Sequence, residues 1–399
     1  MNIYMVGIGG IGLSALAQLY VSRGETVSGE DRSAGPTTEL LERCGVSVLV
    51  GTGDVPPNTD LVIYSDAIPE DYQARADART KGIRQISYFA ALGEVSQGVF
   101  TIAVAGTHGK TTTTAMLVKI LKDAGKNPTA IIGSIVKDFG SNFVNGDPNL
   151  FVVEACEYKD HILELSPKIL VITNIEWDHT DWFKTEADMR ATFDKAMAAA
   201  DKVIDASLYR SEPEYELSLI GEFNKDNARA AAAAARAAFP DIPEDSIRAS
   251  LKAFQGTWRR FEYKGKTKSG VDVYDDYAHH PSAIRVTIEG VRQKFPGKKV
   301  TIIFHPHLFS RTKDLLDGFV TELAKADEVI LAPIFPAREV DDGTMSSDIL
   351  AAAIAKINPH VVSLPSFDAI LNALQTTNHE LLITMGAGDI YKVAEKITI

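Results

Sequence analysis

The segment TIAVAGTHGKTTTT, residues 101–114, carries the clearest chemistry in the sequence. An apolar, β-branched run leads into glycines, a lysine and threonines, the order expected where a phosphate-binding loop joins a strand to a helix. Gly106 and Gly109 would let the backbone turn its N–H groups inward. Lys110 would supply positive charge for the β- and γ-phosphates of a nucleotide, and Thr111 would offer a hydroxyl to Mg²⁺.

This loop departs from the general phosphate-loop pattern at one position. The pattern has a glycine five residues before Gly109, and this chain has Val104 there. The alternative is an ordinary strand-to-helix turn with an exposed lysine. The strand, both later glycines, the lysine and the threonine nevertheless occur in the required order, which favours nucleotide binding.

A second glycine turn lies at the start of the chain. A predicted strand, residues 2–6, runs into GIGGIG, residues 7–12, and then into a helical pattern that closes at Gly24. A second strand, predicted at residues 26–28, is followed by Glu30 and Asp31, about twenty residues after the glycines, where a Rossmann unit places the acid that binds a ribose or a base. The turn predicts nucleotide-diphosphate binding, with NAD, FAD and a UDP-sugar all compatible.

Two further polar residues follow predicted strands of the central region. Glu154 ends the strand before EACEY, and His179 follows the strand that runs into NIEWDH. Ligands bind at the carboxyl ends of strands in α/β sheets, and Mg²⁺ takes few protein ligands besides phosphate oxygens and water. Glu154 is therefore a candidate ligand for one ion and His179 for a second, the alternative being a helix cap and a turn residue.

An alanine-rich helix is predicted to begin near residue 222. Phe223 could stack on a purine, while Asn224 and Asn227, three residues apart on one helical face, could hydrogen-bond an adenine edge. The alternative for the asparagines is a helix cap.

The chain changes character after Gly256. The blocks WRRFE and VDVYDDYAHHP place adjacent arginines, adjacent aspartates and two histidines around one predicted strand. Later strands also end in polar residues or glycines, as in FHPH and GAGD. This pattern predicts a third doubly wound α/β domain.

Composition restricts the class of protein. The 399 residues are 45% hydrophobic and 24% charged, with a net charge of −12 and two cysteines. No apolar run is long enough to span a bilayer, and the negative charge disfavours a general nucleic-acid binder. Met1 leads directly into the first predicted strand, so no signal peptide is expected, and the few cysteines suit a reducing cytoplasm.

Taken in order, these motifs closely resemble those of the Mur ligase family, ATP-dependent enzymes that join amino acids to UDP-N-acetylmuramate. The resemblance covers nearly the whole chain. It rests on ten blocks: GIGGIGLSALA, YSDAIP, GTHGKTTTT, TNIEWDH, GEFNKDNARAA, RRFE, DDYAHHP, FHPHLFSRT, LAPIFPAREV and TMGAGDI.

The resemblance implies three α/β domains. We expect an N-terminal Rossmann-like domain for the UDP-sugar at 1–98, a central P-loop ATPase domain at 99–257 and a C-terminal Rossmann-like domain at 258–399. ATP and Mg²⁺ would be needed, UDP-N-acetylmuramate and L-alanine would be the substrates, and neither nucleic acid nor membrane would be a partner. A cytoplasmic monomer or weak homodimer is expected.

The resemblance also implies roles for single residues. The nucleotide would be bound by residues of the phosphate loop, of the alanine-rich helix and of the third domain: Gly106, Thr107, His108, Gly109, Lys110, Thr111, Thr112, Asn224, Asn227, Arg260 and Asp276. Catalysis would involve Lys110, Arg260, Asp276 and His279. The metal ligands would be Thr111, Glu154 and His179. The UDP-sugar and amino-acid substrates would contact Gly9, Gly10, Ile11, Gly12, Asp31 and Arg311.

The last five blocks favour the family member that adds L-alanine over the one that recycles murein tripeptide, whose C-terminal glycine block lacks GAGD. Members that add later amino acids usually carry a carbamylated lysine fourteen residues after the metal histidine, where this chain has Phe193. Three departures stand out: EACE replaces EADE, FHPH replaces FQPH, and the region 204–221 is short.

Two other classes of function fit parts of the sequence. A nicotinamide-dependent dehydrogenase would explain residues 7–12 but leaves Lys110 and DDYAHHP without a role. A non-catalytic nucleotide-binding regulator would explain both glycine turns but not the candidate metal ligands Glu154 and His179.

Overall fold

The computed structural model describes residues 1–337 and 339–399. Arg338, in the LAPIFPAREV block, lies outside the described residues. The described chain contains three sheets of five, six and six strands, mostly parallel and interleaved with helices. The predicted α/β class with three domains is therefore confirmed.

The first sheet has the order β3-β2-β1-β4-β5, and all of its strand pairs are parallel. Buried aliphatic residues of β1 and β4 form its centre. Its elements are β1 (Asn2–Val6), α1 (Ile11–Ser22), β2 (Thr26–Asp31), α2 (Pro36–Arg43), β3 (Ser47–Val50), β4 (Leu61–Tyr64), α3 (Gln73–Thr80), β5 (Arg84–Ser87) and α4 (Tyr88–Ser96).

The second sheet has the order β11-β10-β6-β9-β7-β8, with only β8 antiparallel to its neighbour. β6 is central in this sheet, and all of its residues from the second onwards are buried, as expected for a strand covered on both faces. The elements of this region are β6 (Phe100–Ala105), α5 (Lys110–Asp123), β7 (Pro128–Val136), β8 (Ser141–Val144), β9 (Asp147–Glu154), β10 (Ile169–Ile172), α6 (Glu186–Ala199), β11 (Lys202–Asp205), α7 (Glu222–Ala238) and α8 (Glu244–Ala253). Short 3₁₀ helices occupy Tyr158–Glu164 and Ala206–Tyr209.

The third sheet has the order β12-β13-β17-β14-β15-β16, with β12 antiparallel and hydrophobic clusters on both faces. Its elements are β12 (Glu262–Lys266), β13 (Asp272–Asp276), α9 (Pro281–Lys294), β14 (Val300–Phe304), α10 (Phe309–Asp314), α11 (Leu316–Leu323), β15 (Glu328–Leu331), α12 (Ser347–Ile354), β16 (Val361–Ser363), α13 (Phe367–Thr376), β17 (Leu381–Met385) and α14 (Tyr391–Ile397).

The described residues divide into two compact units. The first comprises Met1–Glu176, Glu186–Ser218 and Asp226–Gln255, and holds the first two sheets. The second comprises Trp177–Thr185, Leu219–Lys225 and Gly256–Ile399, and holds the third sheet. The domain limits expected from the sequence remain predictions. Among the described helices, none combines the length and the apolar character needed to cross a bilayer.

Candidate active site

The phosphate loop lies between β6 and α5, as predicted from the sequence. Gly106 and Gly109 have φ angles of +125° and +81°, in the left-handed region that favours glycine. A Cβ atom on Gly109 would also lie 2.3 Å from Oδ1 of Asn227, so this position has no room for a side chain. Both glycines are thus required by the backbone conformation, and Gly109 also by the packing of Asn227 against the loop.

Lys110 is the first residue of α5 and points back across its own loop. Its ammonium lies 3.1 Å from both carboxylate oxygens of Glu157 and 3.2 Å from the carbonyl oxygen of Thr107, and it also contacts the carbonyl oxygen of Gly106. Burial opposes the charge on the ammonium, but the negative charge of Glu157 outweighs it, so the pKa of Lys110 is raised above its ordinary value.

Thr111 and Glu154, both predicted as metal ligands, are brought together. The Thr111 hydroxyl donates to Oε1 of Glu154 at 3.1 Å, and the Gly133 amide donates to Oε2 at 2.9 Å. Glu154 reaches this position because β9 pairs in parallel with β6, with Glu154 opposite Val104. A hydroxyl and a carboxylate at the start of α5 form an oxygen donor set of the kind Mg²⁺ prefers.

Residues that follow β10 hold the phosphate loop in shape. The amides of Thr107 and His108 donate to the carbonyl and side-chain oxygens of Asn174, both at 3.0 Å. The Thr107 hydroxyl donates to the carbonyl oxygen of Glu176 at 2.8 Å, and His108 Nε2 lies 3.3 Å from the Glu176 carboxylate. Thr112 is buried on the first turn of α5. Of the predicted loop residues, Thr107 and His108 therefore set the shape of the cradle.

The N-terminal glycine turn is closed by Asp31, whose Oδ2 accepts the Gly9 amide at 2.9 Å. Gly10 precedes Ile11, the first residue of α1. A Cβ on Gly12 would lie 2.5 Å from the ring of Tyr88. The turn thus depends on small residues at its core.

Strand β2 extends to Asp31, beyond the predicted limit at residue 28. The prediction was too short because Glu30 is a buried strand residue. Its Oε2 accepts the Tyr4 hydroxyl at 2.9 Å and the Gly53 amide at 2.6 Å, which satisfies this oxygen of the carboxylate inside the sheet.

Asn224 and Asn227 are both buried on α7, and they belong to different compact units. Asn227 lies against Gly109 of the phosphate loop. The Asn224 side-chain amide donates to the carbonyl oxygen of Ile220 at 2.7 Å, a bond within the turn that opens the helix.

In the second unit, Asp276 ends β13 and is buried. It accepts the amides of Ala278 at 2.8 Å and Phe261 at 3.1 Å. Burial nevertheless raises its pKa to about 6, against the lowering effect of the neighbouring Arg260 charge. Arg260 also lies over the ring of Tyr277, 5.1 Å from its centroid.

A buried ion pair between Arg311 and Asp178 holds Arg311 next to His307 in this unit. Arg311 Nε donates to Asp178 Oδ1 at 3.0 Å, and Arg311 Nη1 lies 3.1 Å from His307 Nδ1. Burial disfavours ionisation of Asp178, but Arg311 and the nearby histidines hold its pKa well below its usual value. Burial, followed by the Arg311 charge, lowers the pKa of His279.

His179 directly follows Asp178 and has a left-handed backbone with φ of +54°. Its amide donates to Asp178 Oδ1 at 2.7 Å. The aspartate therefore fixes the turn that presents His179, and Arg311 in turn fixes the aspartate. The two candidate metal ligands Glu154 and His179 lie in different compact units.

Sequence reasoning assigned no role to several residues that build these sites. Glu157, Asp178 and Arg259 all lay within the motifs, but nothing local distinguished them from their neighbours. Arg259 is buried and donates to Asp275 Oδ2 at 2.8 Å and to the Gly388 carbonyl at 2.9 Å, whereas its neighbour Arg260 was the arginine predicted to be catalytic.

Three family models match the chain in order. The Mur ligase family catalytic domain matches residues 2–99, the Mur ligase middle domain 104–200, and the Mur ligase glutamate ligase domain 259–388. A curated relative is also 36% identical to this chain over 99% of its length. Together with the three sheets and the phosphate loop, these matches show that the chain belongs to the Mur ligase family.

Among curated proteins, the chain is 36% identical to the UDP-N-acetylmuramate–L-alanine ligase of Clostridium novyi (strain NT), over 99% of this chain and 96% of that protein. The match spans 443 positions, which exceeds the 399 residues of this chain by 44, so the relative contains segments that have no counterpart here. This agrees with a shortened chain, although the place of the shortening at 204–221 remains a prediction.

Solved structures show the same fold. The UDP-N-acetylmuramate–alanine ligase of Thermotoga maritima has a TM-score of 0.85 at 24% identity, covering 100% of this chain and 98% of that one. A murein peptide ligase from Psychrobacter arcticus has a TM-score of 0.73 at 24% identity with the same coverage.

Proposed function

We propose that this chain joins L-alanine to UDP-N-acetylmuramate, using ATP and forming ADP, in peptidoglycan precursor synthesis. The observation that carries the proposal is the 36% identity to an L-alanine ligase along the whole chain, combined with a phosphate loop in which Lys110, Thr111 and Glu154 are in contact with loop or strand-end partners. The murein peptide ligase resembles this chain in fold alone. A dehydrogenase or a regulator leaves this constellation unexplained.

The reaction requires a carboxylate to be activated in water. Transfer of the γ-phosphoryl group of ATP to the carboxylate of UDP-N-acetylmuramate gives an acyl phosphate and ADP. The alanine amine then attacks the acyl carbon, and collapse of the tetrahedral intermediate releases phosphate and leaves the amide. Bound Mg²⁺ would neutralise phosphate charge.

The chain's own residues would overcome the repulsion between two anionic substrates. Lys110 and the N-terminus of α5 supply positive charge at the transferring phosphoryl group. Thr111 and Glu154 would hold the first metal ion and His179 a second. Asn224 and Asn227 would bind adenine.

The proposal assigns the remaining sites by domain. Residues 1–98 would bind the UDP-sugar through the glycine turn and Asp31. Residues 99–257 would bind ATP, and residues 258–399 would complete the ATP site through Arg260, Asp276 and His279. Arg311 would contact substrate. A site divided in this way can exclude water from the acyl phosphate when it closes. We place the reaction in the cytoplasm, with a monomer or weak homodimer as the working unit.

The test is ADP release by the purified chain with ATP, Mg²⁺ and UDP-N-acetylmuramate, supplied with each of a panel of amino acids and, separately, with murein tripeptide. We expect L-alanine to give the highest kcat/KM. Preference for the tripeptide would favour the recycling activity, and ADP release independent of any amine would refute ligation.

The division between domains is tested by Asp276→Asn and His279→Ala. Both changes should reduce turnover far more than they weaken UDP-N-acetylmuramate binding, measured by calorimetry. Equal losses of binding and turnover would show that the domain roles are wrongly assigned.

A further inference from the structure

Glu157 is the fully buried carboxylate of the EACE block. Both of its oxygens lie 3.1 Å from the ammonium nitrogen of Lys110. The same short strand end therefore delivers two carboxylates to two consecutive residues of the phosphate loop: Glu154 to Thr111 and Glu157 to Lys110. The proposed chemistry gives a role to the first pair and none to the second.

The ammonium of Lys110 is already saturated in this structure. A lysine ammonium has three N–H donors. Four acceptor atoms surround it: the carbonyl oxygens of Gly106 and Thr107 and the two Glu157 oxygens. Lys110 cannot bind a nucleotide phosphate in this conformation unless it gives up at least one of these partners.

Glu157 is the partner that a phosphate would replace. The two carbonyl groups belong to the loop, which Asn174 holds through the Thr107 and His108 amides. These carbonyl oxygens are neutral acceptors, so they can remain near Lys110 when a phosphate binds. Glu157 is a charged acceptor, so it competes with a phosphate for the same cation.

The backbone around Glu157 holds the carboxylate in place. Lys159 and Asp160, two and three residues after Glu157, have φ angles of +52° and +62°. Such strained left-handed residues persist only where the surrounding structure fixes them. The Thr192 hydroxyl of α6 donates to the Asp160 carboxylate and ties the turn to that helix. Lys110 has a flexible four-carbon side chain, so the lysine is the partner able to move.

We propose that Glu157 is a positioning residue that holds Lys110 between turnovers, yields it to the phosphates when ATP binds, and takes it back as ADP leaves. The inference rests on the proposed function, since it concerns the nucleotide site of that reaction. If Glu157 has this role, it weakens nucleotide binding. A purely structural role would not have this effect on affinity. Removing its charge should strengthen binding, because the cation is no longer shared and no buried negative charge faces the phosphates.

The test compares Mg²⁺–ADP binding by calorimetry for the wild type, Glu157→Gln and Glu157→Asp. Glu164→Gln is the matched control, because Glu164 is exposed in the same segment and the change removes the same charge. We expect Glu157→Gln to bind ADP about tenfold more tightly, as expected for a nearby unit charge at an effective dielectric of ~20 after partial compensation by Mg²⁺. Glu157→Asp and Glu164→Gln should bind like the wild type.

Steady-state kinetics supply a second reading. The KM for ATP should fall in Glu157→Gln, and inhibition by ADP should become stronger, while the KM for UDP-N-acetylmuramate stays unchanged. Unchanged or weaker ADP binding by a folded Glu157→Gln protein would overturn the inference and leave the ligase function intact. A wild type that binds no Mg²⁺–ADP would overturn both.

Discussion

Gly133→Ala should disturb the candidate Mg²⁺ ligand Glu154 without altering any residue that touches nucleotide. Gly133 lies in β7 and donates its amide to Glu154 Oε2 at 2.9 Å. A Cβ atom on this glycine would lie 2.2 Å from Oε2 and 2.6 Å from Cδ of Glu154. The φ angle of Gly133 is outside the left-handed region, so the substitution brings steric overlap and no backbone strain.

The magnitude follows from these distances. To restore an ordinary contact of roughly 3.4 Å, the carboxylate must withdraw by about 1.2 Å, which takes its bonds to the Gly133 amide and the Thr111 hydroxyl beyond hydrogen-bonding range. Because hydrogen bonds to charged groups contribute about 1.5–3 kcal/mol each, losing both should lower the free energy of unfolding by about 3–6 kcal/mol. A displaced ligand should raise the Mg²⁺ concentration for half-maximal activity by about tenfold or more.

The assay is an Mg²⁺ titration of ADP release, with thermal denaturation in parallel. Gly35→Ala is the matched control, because Gly35 has an extended backbone with φ of −175° and nothing within 4 Å of an added Cβ. A Gly133→Ala protein with the wild-type Mg²⁺ titration and the wild-type melting temperature would show that Glu154 is not held, or not needed, where the structure places it.

Three further predictions concern single side chains. Lys110→Ala should lower turnover roughly a thousandfold or more while the circular dichroism spectrum stays unchanged, because the lysine stabilises transferring phosphate; near-normal ADP release would contradict this. Arg259→Gln should lower the free energy of unfolding by about 3–5 kcal/mol, because it leaves Asp275 buried without its cation. Arg260→Gln should instead lower turnover with little change in melting temperature. The reverse pattern would show that the two arginines have exchanged roles. Burial lowers the pKa of His305 to about 4, so below pH 6.5 the unfolded state takes up a proton that the folded state does not. The free energy of unfolding should therefore fall by up to about 3 kcal/mol as the pH drops from 6.5 towards 4. Urea denaturation at pH 7 and pH 4.5 should show a correspondingly smaller loss for His305→Gln.

The local elements of the site could be predicted from sequence because each leaves a local signal. The apolar run before Gly106, the two glycines that need positive φ angles and the lysine that opens α5 are all short-range features, and the structure has the strand, loop and helix in the predicted order. The same holds for the glycine turn before α1. Strand ends were less certain: β2 continues through a buried Glu30, which the polar sequence had placed outside it.

Only the tertiary structure decided which contacts each of two similar, adjacent residues makes. Arg259 and Arg260 have the same chemistry and adjacent positions, but Arg259 is buried and pairs with Asp275, whereas Arg260 is partly exposed. Asp275 and Asp276 are both buried, but Asp275 pairs with Arg259, whereas Asp276 accepts the backbone amides of Ala278 and Phe261. Alternation along a strand and the packing around it, rather than residue type, determine these partners.

The partners of the site residues could not be predicted from the sequence either, because the two members of each pair are far apart in the chain. Glu154 meets Thr111 since β9 pairs with β6, and Arg311 meets Asp178 across 133 residues. The sequence by itself therefore determined the α/β class, the family and the phosphate loop. Only the folded chain decided that Lys110 is held by Glu157, since a buried ion pair depends on desolvation and distance, and neither quantity is written in the order of the residues.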